Sequence, residues 1–176
     1  MKKFLLILAA VCCVATVSAK KSVVETAKSA DWSVGLRVGS GIQADAECFF
    51  KKGNYVEARF GMGYLGGRHY VGVGADLQGL YMWQLYNWNW TPKVGKWFLD
   101  AGCGANLGGA AHWFYFGVAG SVKFGLKFKK YPIRLALDYT PVIGLDMSYP
   151  GKYYNKPVGL YGNGFGNVGL AATWCF

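Results

Sequence analysis

The sequence predicts an all-β fold, an eight-stranded antiparallel up-and-down transmembrane β-barrel with a filled polar lumen. Three observations predict it. Runs of alternating residues recur from Trp32 to Phe176. One face of each run is apolar and, on the later runs, too voluminous for the inside of a barrel of that size. The charges of the runs fall on the opposite face, among glycine, alanine and serine.

The chain divides into three parts. Residues 1–19 begin with Lys2 and Lys3, continue with an apolar stretch from Phe4 to about Val17, and end on Val17-Ser18-Ala19. That order is expected of a secretory signal peptide cleaved after Ala19, and the stretch is too short for a membrane anchor. Cys12 and Cys13 lack the residues that would precede a lipoprotein cysteine. Residues 20–31, KKSVVETAKSAD, carry no sustained pattern and are expected to form a periplasmic polar lead. Residues 32–176 are expected to form the barrel.

Aromatic residues make up 17% of the chain and glycine occurs 26 times, a composition that favours strands once it alternates. The runs are 32–39, 43–51, 55–64, 69–84, 96–107, 114–128, 132–146 and 165–176. KKGN (51–54) and KFKKYP (127–132) predict tight hairpin turns, and NWNWTPKVGK (87–96) a longer one. GSG (39–41), LGGRH (65–69) and LGGAAHW (107–113) are glycine-rich connections. The longest gap is 147–164. No run has a helical period, and no second apolar stretch is long enough for a membrane helix.

Sorting the runs by face shows the pattern. The seventh has Ile133, Leu135, Leu137, Tyr139, Ile143 and Leu145 against Arg134, Ala136, Asp138, Thr140 and Gly144. The last has Val168, Leu170, Ala172, Trp174 and Phe176 against Asn167, Gly169, Ala171, Thr173 and Cys175. An eight-stranded lumen is only just wide enough to be filled by side chains. The small face therefore belongs inside, and the bulky face belongs in a medium other than water, which for a closed barrel is a membrane. The small face carries Arg37, Asp45, Glu47, Glu57, Arg59, Asp76, Asp100, Lys123, Arg134 and Asp138. Charges of both signs in a narrow lumen are expected to form a cross-linked polar network, because unpaired ones would be costly there. Trp32, Tyr81, Trp83, Trp88, Trp90, Trp97, Trp174 and Phe176 lie near run ends, where aromatic residues anchor a barrel at the membrane interfaces. With short turns on the periplasmic side, the gap at 147–164 becomes the longest outer loop. Its Tyr149, Lys152, Tyr153, Tyr154, Lys156 and Tyr161 are the candidate surface contacts.

The formal charge of +10 would ordinarily point to nucleic acid, but a secreted chain does not meet it. Cys48, Cys103 and Cys175 are an odd, widely spaced set that reads as small apolar residues and not as a disulfide framework. No cysteine–histidine spacing suits a metal, and no phosphate loop leads into a helix.

The signal peptide, the eight amphipathic runs and the terminal aromatic resemble the small outer-membrane β-barrels of the OmpA, OmpX and opacity type. PIRLALDYTPVIGL (132–145), followed by a glycine-rich last run, resembles the closing hairpin of the outer-membrane barrel family common in Bacteroidota. The resemblance covers residues 32–176 and implies a location in the bacterial outer membrane, in contact with its lipid and lipopolysaccharide. It also implies that Trp174 and Phe176 act as the signal read by the barrel-assembly machinery.

The expected function is that of a non-enzymatic, monomeric integral outer-membrane protein, structural or adhesion-like, with a host or protein partner met through the outer loops. Neither a cofactor nor a metal is expected, and an eight-stranded barrel leaves no porin-sized channel. Two alternatives compete with this reading. A lipid A-modifying enzyme would need His69 or His112 beside a nucleophile, and neither has a neighbouring serine. A soluble periplasmic carrier of the lipocalin type would alternate similarly with its apolar face inward.

Overall fold

The computed structural model describes residues 32–50, 53–66, 71–111, 113–148, 158–161 and 163–176. The strands are β1 (Trp32–Val38), β2 (Gly41–Phe49), β3 (Tyr55–Gly66), β4 (Val71–Thr91), β5 (Gly95–Ala110), β6 (Trp113–Phe128), β7 (Ile133–Tyr139), β8 (Val142–Ser148), β9 (Val158–Tyr161) and β10 (Val168–Cys175). The one helical turn among the described residues is a 3-10 turn at Asn163–Gly166.

These segments close into an eight-stranded antiparallel barrel. From β1 to β6 each strand pairs with the next. The seventh wall position is shared by β7 and β8, which both pair with β6. The eighth is shared by β10, paired with β7, and β9, paired with β8. Closure is made by β1 against β10, from Ser33↔Cys175 to Val38↔Leu170. The Phe176 N–H extends the seam by donating to the Trp32 carbonyl at 2.8 Å.

The registers set the stagger. Trp32 lies opposite Cys48, then Val56, Tyr81, Cys103 and Gly120 on successive strands. Continued at the β6–β7, β7–β10 and β10–β1 registers, the path returns to the line of β1 about ten residues beyond its start. A stagger of that size tilts the strands by roughly 40° from the barrel axis.

Several boundaries differ from the sequence expectation: the connection expected at 107–113 shrinks to 111–112, the last run becomes strand only from Val168, and three further differences have a local cause. β4 runs on to Thr91, so the connection to β5 shrinks to 92–94. The register shifts between Gln84 and Tyr86, where Leu85 is an extra residue. Beyond this bulge the aromatics resume one position out of phase, as Tyr86, Trp88 and Trp90, so a strict period of two stops at Gln84. The seventh run is interrupted at Thr140–Pro141, because proline has no N–H for the ladder. Face parity survives the break, and the Pro141 carbonyl accepts from the Gly120 N–H at 2.9 Å. Part of the expected loop at 147–164 is β9, which supplies β8 with its partner from Gly144↔Tyr161 to Met147↔Val158.

The lumen also holds larger apolar groups than the expected glycine, alanine and serine. Tyr55, Leu80, Met82, Phe98, Trp113 and Tyr115 are all buried. Glycines facing them make the room. A Cβ on Gly102 would sit 2.3 Å from Met82 Sδ, on Gly125 2.6 Å from Phe98 Cζ, and on Gly108 2.7 Å from Tyr115 Cε1. Met82, Phe98 and Tyr115 are thus each set beside a glycine on the neighbouring strand, which gives them room in a narrow lumen.

Candidate functional site

All ten charged residues singled out in the sequence lie inside the barrel, each no more than 7% exposed. Each arrives there because it occupies the inward position of its strand, and the closure of the sheet brings distant strands face to face. The geometry divides them into linked groups.

At the centre of one group is Lys123 on β6. Its Nζ lies 2.8 Å from Glu47 Oε1, 2.7 Å from Glu57 Oε1 and 3.6 Å from Asp45 Oδ2. Asp45, Glu47 and Glu57 bring one oxygen each within 4.8 Å of one another. Such a triad has cation-site spacing, and the chain supplies the cation itself as the Lys123 ammonium. Glu47 is the most heavily engaged acceptor. It also receives Arg134 Nη1 at 2.7 Å on Oε2, together with the Ser33 hydroxyl.

Arg134 links this group to the next. Its Nη2 donates to Asp100 Oδ2 at 2.9 Å, and the same oxygen accepts from the Tyr55 hydroxyl at 2.9 Å. The guanidinium lies over the Phe98 ring at 4.3 Å and near Phe49 and Tyr55 at 5.1 and 5.4 Å. A weakly hydrated planar cation between aromatic faces keeps part of its stabilisation after leaving water.

Asp138 organises a further group. Arg37 Nε donates to both of its oxygens at 2.8 Å, and Arg59 Nη2 lies 3.0 Å from Oδ2. Arg37 also donates to Gln43 Oε1 at 2.8 Å and to Asn167 Oδ1 at 2.9 Å. Gln43 passes the chain on, donating to Asp76 Oδ2 at 2.7 Å. Arg59 is joined to Glu57 through Nε and donates from Nη1 to Thr140 Oγ1 at 3.1 Å and Gln78 Oε1 at 3.2 Å. Gly169 makes the space for Arg37, since a Cβ there would fall 2.6 Å from the guanidinium carbon.

The sequence places Gln78, Thr140 and Asn167 on the inward face without marking them as partners of the charges, and Ser33, Gln43 and Tyr55 were missed. Their inward parity was the available signal. Asp146 is a further buried acid on the inward face of β8. Four cations answer a larger number of acids, and side chains from opposite walls meet across the axis.

The outer wall is the reverse. Val34, Leu36, Val38, Ile42, Phe60, Met62, Val73, Leu77, Phe116, Val118, Leu137 and Leu170 are exposed on it. No Asp, Glu, Lys or Arg occupies an outward-facing strand position among the described residues. Trp174 and Phe176 lie on this wall beside the closing seam, 49% and 71% exposed. Cys48 and Cys103, on the same wall, are half-buried and Cys175 is buried inside; none of the three is in a disulfide.

Of the candidate surface contacts, Tyr161 lies in β9, and Tyr149, Lys152, Tyr153, Tyr154 and Lys156 lie outside the described residues. His69 and His112 lie outside them as well. Comparison with protein-family profiles, curated proteins and solved structures gave no match.

Proposed function

We propose that the chain is a non-enzymatic integral outer-membrane protein, an up-and-down barrel whose outer wall faces lipid and whose role is structural or one of surface interaction. One observation carries this reading. The wall that faces outward is apolar and carries no Asp, Glu, Lys or Arg at its strand positions among those described, while the charges are sequestered inside. In water that distribution would expose far more apolar surface than a soluble monomer tolerates. In a bilayer it is the favourable one, because closure leaves no unpaired sheet edge in the hydrocarbon.

A soluble carrier would need an apolar cavity, whereas here the lumen is occupied by ion pairs and by Tyr55, Met82 and Phe98. The same filling argues against a general porin. The proposed partners are outer-membrane lipid and lipopolysaccharide around the wall, with further contacts made by the outer loops. The barrel-assembly machinery is the proposed reader of Trp174 and Phe176.

Cell-envelope fractionation of a Gram-negative host, combined with gel migration before and after boiling, tests the reading. The expected result is recovery in the outer-membrane fraction as a band whose migration changes on boiling. Recovery in the soluble periplasmic extract would refute it.

A further inference from the structure

Among the described residues, the charge left outside the lumen lies at one end of the barrel. Lys93 lies in the turn between β4 and β5, and Lys96 opens β5. Lys127 ends β6 with Phe128, and Lys129 and Lys130 lie in the turn to β7. The two turns are joined, since the Lys129 N–H donates to the Val94 carbonyl at 3.0 Å. Lys96 and Lys127 are direct cross-strand partners, an arrangement in which like charges repel.

The salt bridges of the described residues engage none of these lysines. Asp100 is held by Arg134 and Tyr55, Asp138 by Arg37 and Arg59, Glu47 by Lys123 and Arg134, and Glu57 by Lys123 and Arg59. All five lysines are exposed except Lys127, which is half-buried. A self-repelling cluster joined by backbone hydrogen bonds gains stability from an external anion.

The same strand ends carry a stack of aromatic rings on the outer wall. Tyr86 and Trp88 are 5.6 Å apart, Trp88 and Trp90 5.1 Å, Trp90 and Trp97 5.9 Å, and Trp97 and Phe124 5.3 Å. Trp90 is 62% exposed, and so is much of Tyr131, whose ring lies 5.7 Å below Lys130 Nζ. A soluble polyanion would use the lysines and leave these rings in water. A membrane surface uses both, because indole rings settle at headgroup level and lysine stems reach outward to the phosphates.

We propose that this turn end is a binding surface for the phosphates of anionic phospholipids, with the lysines on the headgroups and the aromatic stack at the edge of the hydrocarbon. The proposal rests on the membrane reading above.

The test uses the full chain refolded into vesicles of phosphatidylcholine alone, or with a third of the lipid replaced by phosphatidylglycerol. Urea unfolding is followed by heat-modifiable migration. Each lysine that reaches an anionic surface is worth roughly fivefold in the equilibrium constant. Phosphatidylglycerol should therefore raise the wild-type folding constant by about tenfold or more at low salt. The variant K93Q/K96Q/K127Q/K129Q/K130Q should fold in phosphatidylcholine as the wild type does and lose the gain. An equal gain in both proteins overturns the proposal. So does an equal gain from inorganic phosphate added in neutral detergent micelles, which would make the end a soluble-phosphate site. Should the fivefold variant not fold, K93Q/K130Q must show a reduced gain, and an undiminished one overturns the proposal. Wild-type folding in phosphatidylcholine alone reports on the membrane reading separately, and failure there overturns both.

Discussion

At the scale of single residues, stability depends on whether a buried charge keeps its partners. Lys123 answers three carboxylates at once. Lys123→Met would leave them facing one another and should cost about 3–5 kcal/mol. Adding Glu57→Gln should recover part of that loss in the same urea titration, because one of the orphaned charges is gone. Leu170 poses the opposite question. It is 66% exposed on the outer wall, between Val38 and Leu137 in register. In a bilayer, Leu170→Arg should lower stability by about 2–4 kcal/mol. On a water-exposed surface the change would fall within about 0.5 kcal/mol. The inward placement of Arg37, Lys123 and Asp138 was legible from a period of two. Their pairing was not, since Arg37 and Asp138 are 101 residues apart and meet only once closure and stagger are set.

At the scale of elements, glycines decide where walls can approach. Gly35 sits at the closing seam, where a Cβ would come 1.9 Å from the Ala172 carbonyl oxygen. Gly79 has open space at the same place. Gly35→Ala should therefore cost about 1–3 kcal/mol, with a matching fall in the folded, heat-modifiable fraction, while Gly79→Ala should leave that fraction unchanged. The runs themselves were legible because each alternates over enough residues to outweigh local propensity. Their ends were less legible, at three places for a clear physical reason. Leu85 inserts a bulge that reverses parity, Pro141 interrupts a ladder without shifting parity, and Val158–Tyr161 becomes a strand because β8 offers it an edge. The lumen was read as uniformly small because Tyr55, Leu80 and Met82 share the inward parity of the charges. Only the facing glycines show that there is room for them.

At the scale of the whole molecule, the chain is turned inside out relative to a water-soluble sheet, with ion pairs as its core and aliphatic and aromatic groups as its surface. Desolvating four cations and their acids is expensive, and in water a well-packed apolar core would serve better. That cost becomes reasonable where the outside is hydrocarbon and the inside is the one place for polar groups. The stagger then carries a measurable consequence. With eight strands and a shift of about ten residues around the barrel, the strands should lie roughly 40° from the bilayer normal when the barrel spans a membrane. Polarised infrared dichroism of the amide bands, recorded on the refolded protein in oriented bilayers, reads that angle directly. A single ordered strand population tilted by about 40° is the predicted result. Protein that stays out of the bilayer, or a spectrum with no preferred strand orientation, would contradict a membrane-spanning barrel.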